Sequence, residues 1–228
     1  MTITTTKLMR AAGLCLLVAG LLFLLPQFIH PKDEVASVAT TGWVVAHLVN
    51  TAMAVLALIG VTGLYLRQVR ETGALGLIGF LLFGIGFLMI AIVSFAEAVI
   101  LPQIADAAPG YVGDFLATFV GDPVEGDVGG LAVANGVAGA TFLLGGLVFG
   151  IALYRAGIVA RWAALLLSVG ALASLLAGVL PDSFFRTATF PTAIALMGLG
   201  YSLWREQADA ASMSVPSVRT PQLDTAGG

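Results

Sequence analysis

Charge is scarce in this chain. Of its 228 residues, 10% are charged and 59% hydrophobic, and the mean hydropathy is +1.01. A soluble domain carries roughly a quarter charged residues. A chain of this size could bury a core, but it has too few charges to cover its outside against water. Lipid is therefore its expected solvent. No basic run is present, which excludes nucleic acid as an expected partner.

Cysteine and histidine are nearly absent. Cys15 is the only cysteine and falls in an apolar run, where a thiol packs as a small buried group. One cysteine excludes an intrachain disulfide framework, a cysteine-based zinc motif and a redox pair. The only histidines are His30 and His47. A His-Glu-x-x-His motif is missing, and zinc hydrolases need three or more nitrogen or carboxylate ligands. His30 stands beside Pro31, just past the first apolar run, and is expected at the water interface. A bis-histidine haem is disfavoured on that ground. Two histidines and one glutamate from separate segments have no spacing that favours a metal. No nucleophile elbow, phosphate loop or dinucleotide fingerprint occurs in a suitable context. The sequence thus assigns no catalytic residue, no metal and no cofactor, and leans away from an enzyme.

Long apolar runs are what the chain does have. A spanning helix needs about 20 mostly apolar residues, and six runs qualify: residues 11–29, 43–66, 75–101, 131–154, 162–180 and 188–204. The expected fold is all-α, a polytopic membrane bundle of six transmembrane helices over residues 1–206, followed by a disordered cytoplasmic tail at 207–228. Three runs end on Leu-Pro and a polar residue: Leu25-Pro26-Gln27, Leu101-Pro102-Gln103 and Leu180-Pro181-Asp182. The intervening runs close on Leu, an aromatic and a nearby Arg: Leu64-Tyr65-Leu66-Arg67, Leu153-Tyr154-Arg155 and Leu203-Trp204-Arg205. One helical hairpin written three times accounts for both sets of marks.

Basic residues orient the runs. Lys7, Arg10, Arg67, Arg70, Arg155, Arg161, Arg205 and Arg219 fall on one side; only Lys32 and Arg186 fall on the other. Short loops rich in Lys and Arg stay in the cytoplasm, so both termini are expected there and the protein in the plasma membrane. The outer side carries Asp33, Glu34, Asp106, Asp114, Asp122, Glu125, Asp127 and Asp182. These acids read first as solubilising the outer loops, and second as a field that gathers cations. The N-terminus resembles a signal peptide with a cleavage site near Ser37-Val38-Ala39. Its apolar core is too long and the charged Lys32-Asp33-Glu34 cluster too close, so retention is expected.

The longest outer loop spans residues 104–130 and holds Pro109, Pro123 and six glycines. Within it, residues 111–120 predict a short amphipathic helix on the membrane surface, with Phe115 and Phe119 at i and i+4. A functional loop and a simple cap over the bundle stand equal. Gly60 and Gly63, Gly146 and Gly150, Gly170, Ser174 and Gly178, and Gly198 and Gly200 read as helix-packing positions, within the chain before a homodimer. Tyr65, Tyr154, Trp162, Trp204, Trp43 and Tyr111 are expected at the two membrane interfaces.

One constellation could carry chemistry. Glu97 is the only acid inside an expected span, about 7.5 Å below the outer end, with Ser94 on the same face. His47 lies about 6 Å below the same surface, with Asn50 and Thr51 following on its face. Asn135 sits at a similar depth in the fourth run. These groups form a helix clamp first, a pocket for an ion or small polar ligand entering from outside second, and a catalytic site last.

The stretch from Trp43 through His47, then Gly60-Val61-Thr62-Gly63-Leu64-Tyr65, then Glu97 and Leu101-Pro102, resembles a loose set of uncharacterised prokaryotic six-span integral membrane proteins, over residues 8–205. That resemblance implies the multi-span fold and carries no activity with it. The expected class is a small transporter-like protein, sensor or accessory subunit. A membrane structural or partner-binding protein is the alternative.

Overall fold

In the computed structural model, residues 3–177 and 182–213 are described, and every regular element among them is a helix. Helix α1 (Thr5–Leu24) starts where the Thr4 side chain accepts a bond from the Lys7 amide. Short helices α2 (Pro26–Ile29) and α3 (Val35–Val38) lead to α4 (Thr41–Arg67), which Thr40 caps by accepting from the Trp43 amide at 3.3 Å. Helix α5 (Val69–Val99) is followed by α6 (Leu101–Ile104) and α7 (Pro109–Val120). Then come α8 (Gly130–Ala156), α9 (Arg161–Ala177) and α10 (Asp182–Met213).

Among the described residues, four stretches are long and apolar enough to cross a membrane: Thr5–Ile29, Thr41–Arg67, Val69–Ile104 and Gly130–Ala156. They coincide with the first four expected runs. The fifth and sixth runs fall in α9, an apolar helix of 17 residues, and in α10, which contains Pro191. The third Leu-Pro mark, at Leu180-Pro181, lies outside the described residues. Helix α10 continues past Gln207, where the polar tail was expected to begin. Alanines 208, 210 and 211 favour helix, and Glu206 is anchored by Arg67 of α4, whose Nε donates to Glu206 Oε1 at 2.9 Å. The tail from 214 onward lies outside the described residues.

Each long helix packs antiparallel on the one before it, and α10 closes the ring on α1. Small residues set these seams. Gly60 and Gly63 of α4 meet Leu16 and Ala12 of α1; Gly79 and Gly86 of α5 meet Phe149 and Phe142 of α8. Gly150 of α8 meets Ala164 and Ser168 of α9, Gly170 of α9 meets Thr192 of α10, and Gly200 of α10 meets Gly13 and Leu17 of α1. Without a hydrophobic drive between helices in lipid, close backbone approach is what remains to hold them. The ring encloses Leu16, Met53, Phe83, Phe87, Phe149 and Leu199, all fully buried. Leu48, Ile59, Leu81, Leu88, Ile92, Leu144 and Leu165 stay exposed on the outside, where only lipid would not penalise them.

Charge follows the alternation of the helices. Lys7, Arg10, Arg67, Arg70, Arg155, Arg161 and Arg205 mark one end of the ring, and Asp33, Glu34, Asp106, Asp114, Asp122, Glu125 and Asp127 the other. At the basic end Arg10 lies over the Trp204 ring, 5.6 Å from its centroid. Trp162 and Tyr154 are exposed there, whereas Tyr65, expected at the interface like them, turns inward. It is buried and stacked on Phe80, with ring centroids 4.5 Å apart.

At the acidic end the long loop is an ordered cap. Val38 of α3, Leu101 of α6, Ala105 just after it, and Val112, Phe115 and Leu116 of α7 form a second apolar cluster with Trp43 and Val93. The amphipathic helix expected at 111–120 exists, and its apolar face packs on the bundle. Phe115 is fully buried against the bundle and Phe119 meets its ring edge-on at 5.1 Å. Gly121, at φ +75°, ends α7 in the left-handed conformation that glycine adopts freely. The chain then returns across the helix, and the Asp114 carboxylate accepts the amides of Glu125 and Gly126 at 3.0 and 2.9 Å.

Gly73 breaks the first turn of α5 with φ 56° and ψ −151°, a region essentially closed to other residues. A methyl group there would meet nothing within 4 Å, so any cost is backbone strain alone. Gly73→Ala is expected to lower stability by about 1–3 kcal/mol, read from thermal unfolding in detergent.

Candidate functional site

The cap covers a small polar cluster at the junction of α2, α4 and α5. Capping by Thr40 fixes where α4 starts, and this puts Trp43 and His47 on one face at i and i+4. Their ring centroids lie 4.2 Å apart. His47 Nδ1 bonds the Trp43 carbonyl at 2.9 Å. Helix α5 ends at Val99, so its last-turn carbonyls run out of intrahelical donors. The Trp43 indole supplies one, donating Nε1–H to the Glu97 carbonyl oxygen at 2.9 Å. The Glu97 side chain turns to His47: Nε2 and Oε2 are 3.3 Å apart. The two residues are 3% and 5% exposed, so each is the other's charge partner in a nearly dry setting.

His30 completes the cluster. It was expected at the water interface; it is half-buried and packs against the site. Pro26 starts the extra turn α2 after α1, and His30, held extended before Pro31 (φ −67°, ψ 124°), sends the chain back over the start of α4. Its Nδ1 contacts the Pro31 carbonyl oxygen at 2.7 Å, and its Nε2 faces His47 Nε2 at 3.4 Å. The His30 and Trp43 centroids are 5.4 Å apart. Trp43, also expected at an interface, is fully buried, because its indole serves the end of α5 and its face supports both imidazoles.

The other expected members behave differently. Ser94 is buried one turn before Glu97, and Asn50 is half-buried three residues beyond His47. Among the described residues no hydrogen bond joins either to the pair. Thr51 donates back to the His47 carbonyl at 2.9 Å. Asn135 does not reach Glu97; its Nδ2 donates to Thr118 Oγ1 of α7 at 3.3 Å, which ties α8 to the cap. Sequence reasoning found the pair and missed His30 and Trp43. The available signal was that both histidines flank the same hairpin turn.

His47 and Glu97 are all but sealed from water. Two apolar hollows of about 220 and 210 Å³ open elsewhere, against Leu143, Leu147 and Leu172 and against Leu58, Phe80 and Leu88, and the polar cluster lines neither. Among the described residues no set of three or more His, Cys, Asp and Glu is arranged to hold a metal ion. The chemistry available to the cluster is charge pairing, hydrogen bonding and proton exchange between ring nitrogens and a carboxylate. No protein-family model, curated protein or solved structure matches this chain.

Proposed function

We propose that this chain is a multi-pass protein of the plasma membrane with six transmembrane helices in three hairpins and both termini in the cytoplasm. Its role is that of a sensor or accessory element, with transporter-like carriage as the related possibility. Its ligand is an ion or small polar solute arriving from the outer side. The antiparallel ring and its basic and acidic ends support the topology. The observation that carries the function is the buried His47–Glu97 pair at 3.3 Å beneath an ordered cap. Ionisable groups at membrane depth are costly, and they mark functional sites by default.

A second reading has its own support. The Trp43 indole on the Glu97 carbonyl locks α4 to α5, and a polar clamp of this kind contributes about 0.6–2 kcal/mol. The two readings separate on Trp43 emission. The chain has three tryptophans, so Trp162→Phe with Trp204→Phe leaves Trp43 as sole reporter, in contact with His47. In liposomes, that emission is expected to respond to a change of outer pH or to sodium, potassium, calcium or zinc chloride. The response should vanish in Glu97→Gln. Emission that stays constant under every condition would leave only the clamp.

A further inference from the structure

We propose that His30, His47 and Glu97 form a binding site for a single proton, loaded from the outer side through His30 and closed toward the cytoplasm. This rests on the sensor reading above and names its ligand.

Hydrogen-bond accounting carries the inference. A carbonyl oxygen only accepts, so the ring nitrogen against it must bear a hydrogen. His30 Nδ1 lies against the Pro31 carbonyl and His47 Nδ1 against the Trp43 carbonyl. These partners assign both rings as Nδ1–H tautomers. The remaining nitrogens then meet: His30 Nε2 and His47 Nε2 at 3.4 Å, and His47 Nε2 and Glu97 Oε2 at 3.3 Å. With no further proton, two nitrogen lone pairs and a carboxylate face one another without a donor, and the buried cluster carries a net negative charge. With one proton on His47 Nε2, both neighbours become acceptors and the cluster is neutral. With two, a net positive charge is buried. Donor count and charge balance select the same state, one shared proton.

Burial sets the direction of loading. His30 is half-buried while His47 and Glu97 are buried, so His30 is the member nearest water. An outer hydronium gives its proton to His30 Nε2 and leaves as water; the proton passes to His47 Nε2 and can be shared with Glu97 Oε2. No electron moves. Directly beneath the cluster lie Ser94, Asn50 and Thr51, none of which hydrogen-bonds to the His47 or Glu97 side chain; below them the ring is filled by Met53, Phe83, Phe87 and Phe149, which offer no proton acceptor. The site stores a proton and does not conduct one. The charged groups around it are few. Asp33, between α2 and α3, is near enough to act electrostatically on His47. The cap elements present Val38 from α3, Leu101 from α6, and Val112, Phe115 and Leu116 from α7.

The proton also has something to act on. Trp43 touches both imidazoles, bonds the end of α5 and belongs to the cap's apolar cluster. Removing the proton sets the three acceptors against one another directly beneath that cap. Loading favours the closed cap, and unloading loosens it.

With two histidines in the chain, imidazole ¹⁵N spectra of histidine-labelled protein, purified without a polyhistidine tag, resolve one ring each, and His30→Gln assigns them. In the wild type both rings are expected to show Nδ1–H, and their Nε2 signals to move together through one shared event as pH changes. Glu97→Gln should lose the shared proton under conditions where the wild type holds it. In sealed liposomes, a proton step applied from outside should shift Trp43 emission without acidifying the interior. Independent titration of the rings, Nε2–H tautomers, or interior acidification would overturn the proposal. So would stoichiometric zinc in the purified protein. A Trp43 response to a metal salt but not to pH would remove the proton and leave the sensor reading standing; no response to anything would remove both.

Discussion

Glu97→Ala is expected to destabilise the protein by about 3–5 kcal/mol, the cost of breaking a buried ion pair from one side. Its carboxylate is the charge partner of His47, and both residues are all but sealed from water. Removing it leaves either an unpaired imidazolium or two imidazole lone pairs facing each other at 3.4 Å. Glu97→Gln should cost far less, about 1 kcal/mol, because the amide keeps the shape and can donate to His47 Nε2. The alanine variant keeps the Trp43 bond, since that bond goes to the Glu97 backbone. A Glu97→Ala, His47→Ala double-mutant cycle isolates the pair in thermal or denaturant unfolding in detergent. A coupling near zero would show that the two side chains do not sense each other.

The second large effect is expected at the seam between α5 and α8. A methyl group on Gly145 would fall inside contact distance of the Phe83 backbone nitrogen and Cα. No rotamer change relieves a clash with backbone, so α5 and α8 must separate. Gly145→Ala is expected to cost about 1–3 kcal/mol, and Gly145→Leu to reduce recovery of monodisperse protein sharply. Gly136 and Gly139 lie on the same helix, with nothing within 4 Å of an added methyl. Alanine at either should instead stabilise α8 by about 0.5–1 kcal/mol through helix propensity. Equal effects at all three positions, measured by thermal unfolding, would mean the seam does not control packing.

Some of this was legible in one dimension. Apolar run length picked out six stretches, and the first four are long and apolar enough to cross a membrane among the described residues, because that property is local and lipid demands it of each helix separately. The pairing of small residues within the chain was legible at Gly60, Gly150, Gly170 and Gly200, since small side chains repeat on one helical face. Glu97 and His47 stood out because polar groups in apolar runs are few and their depths matched. Depth, however, says nothing about rotation of a helix about its axis. Asn135 has a suitable depth, but its amide reaches α7. His30 was placed at the water interface because it lies just past a helix end, and only the path through Pro26 and Pro31 brings it back over α4 against His47. Trp43 and Tyr65 looked interfacial for the same reason: position along the helix was readable, the face was not.

By itself, the sequence determined the solvent, the helical class, the lengths of the apolar segments and the two-ended distribution of charge. These depend on residue type and order alone. The tertiary structure decided that the loop after α6 folds down as a cap, that the His47–Glu97 pair is buried, and that the cluster's members are His30, Trp43, His47 and Glu97. Such choices turn on contacts of about 3 Å between residues tens of positions apart, and those distances are set by helix rotation and chain reversal once packing is complete.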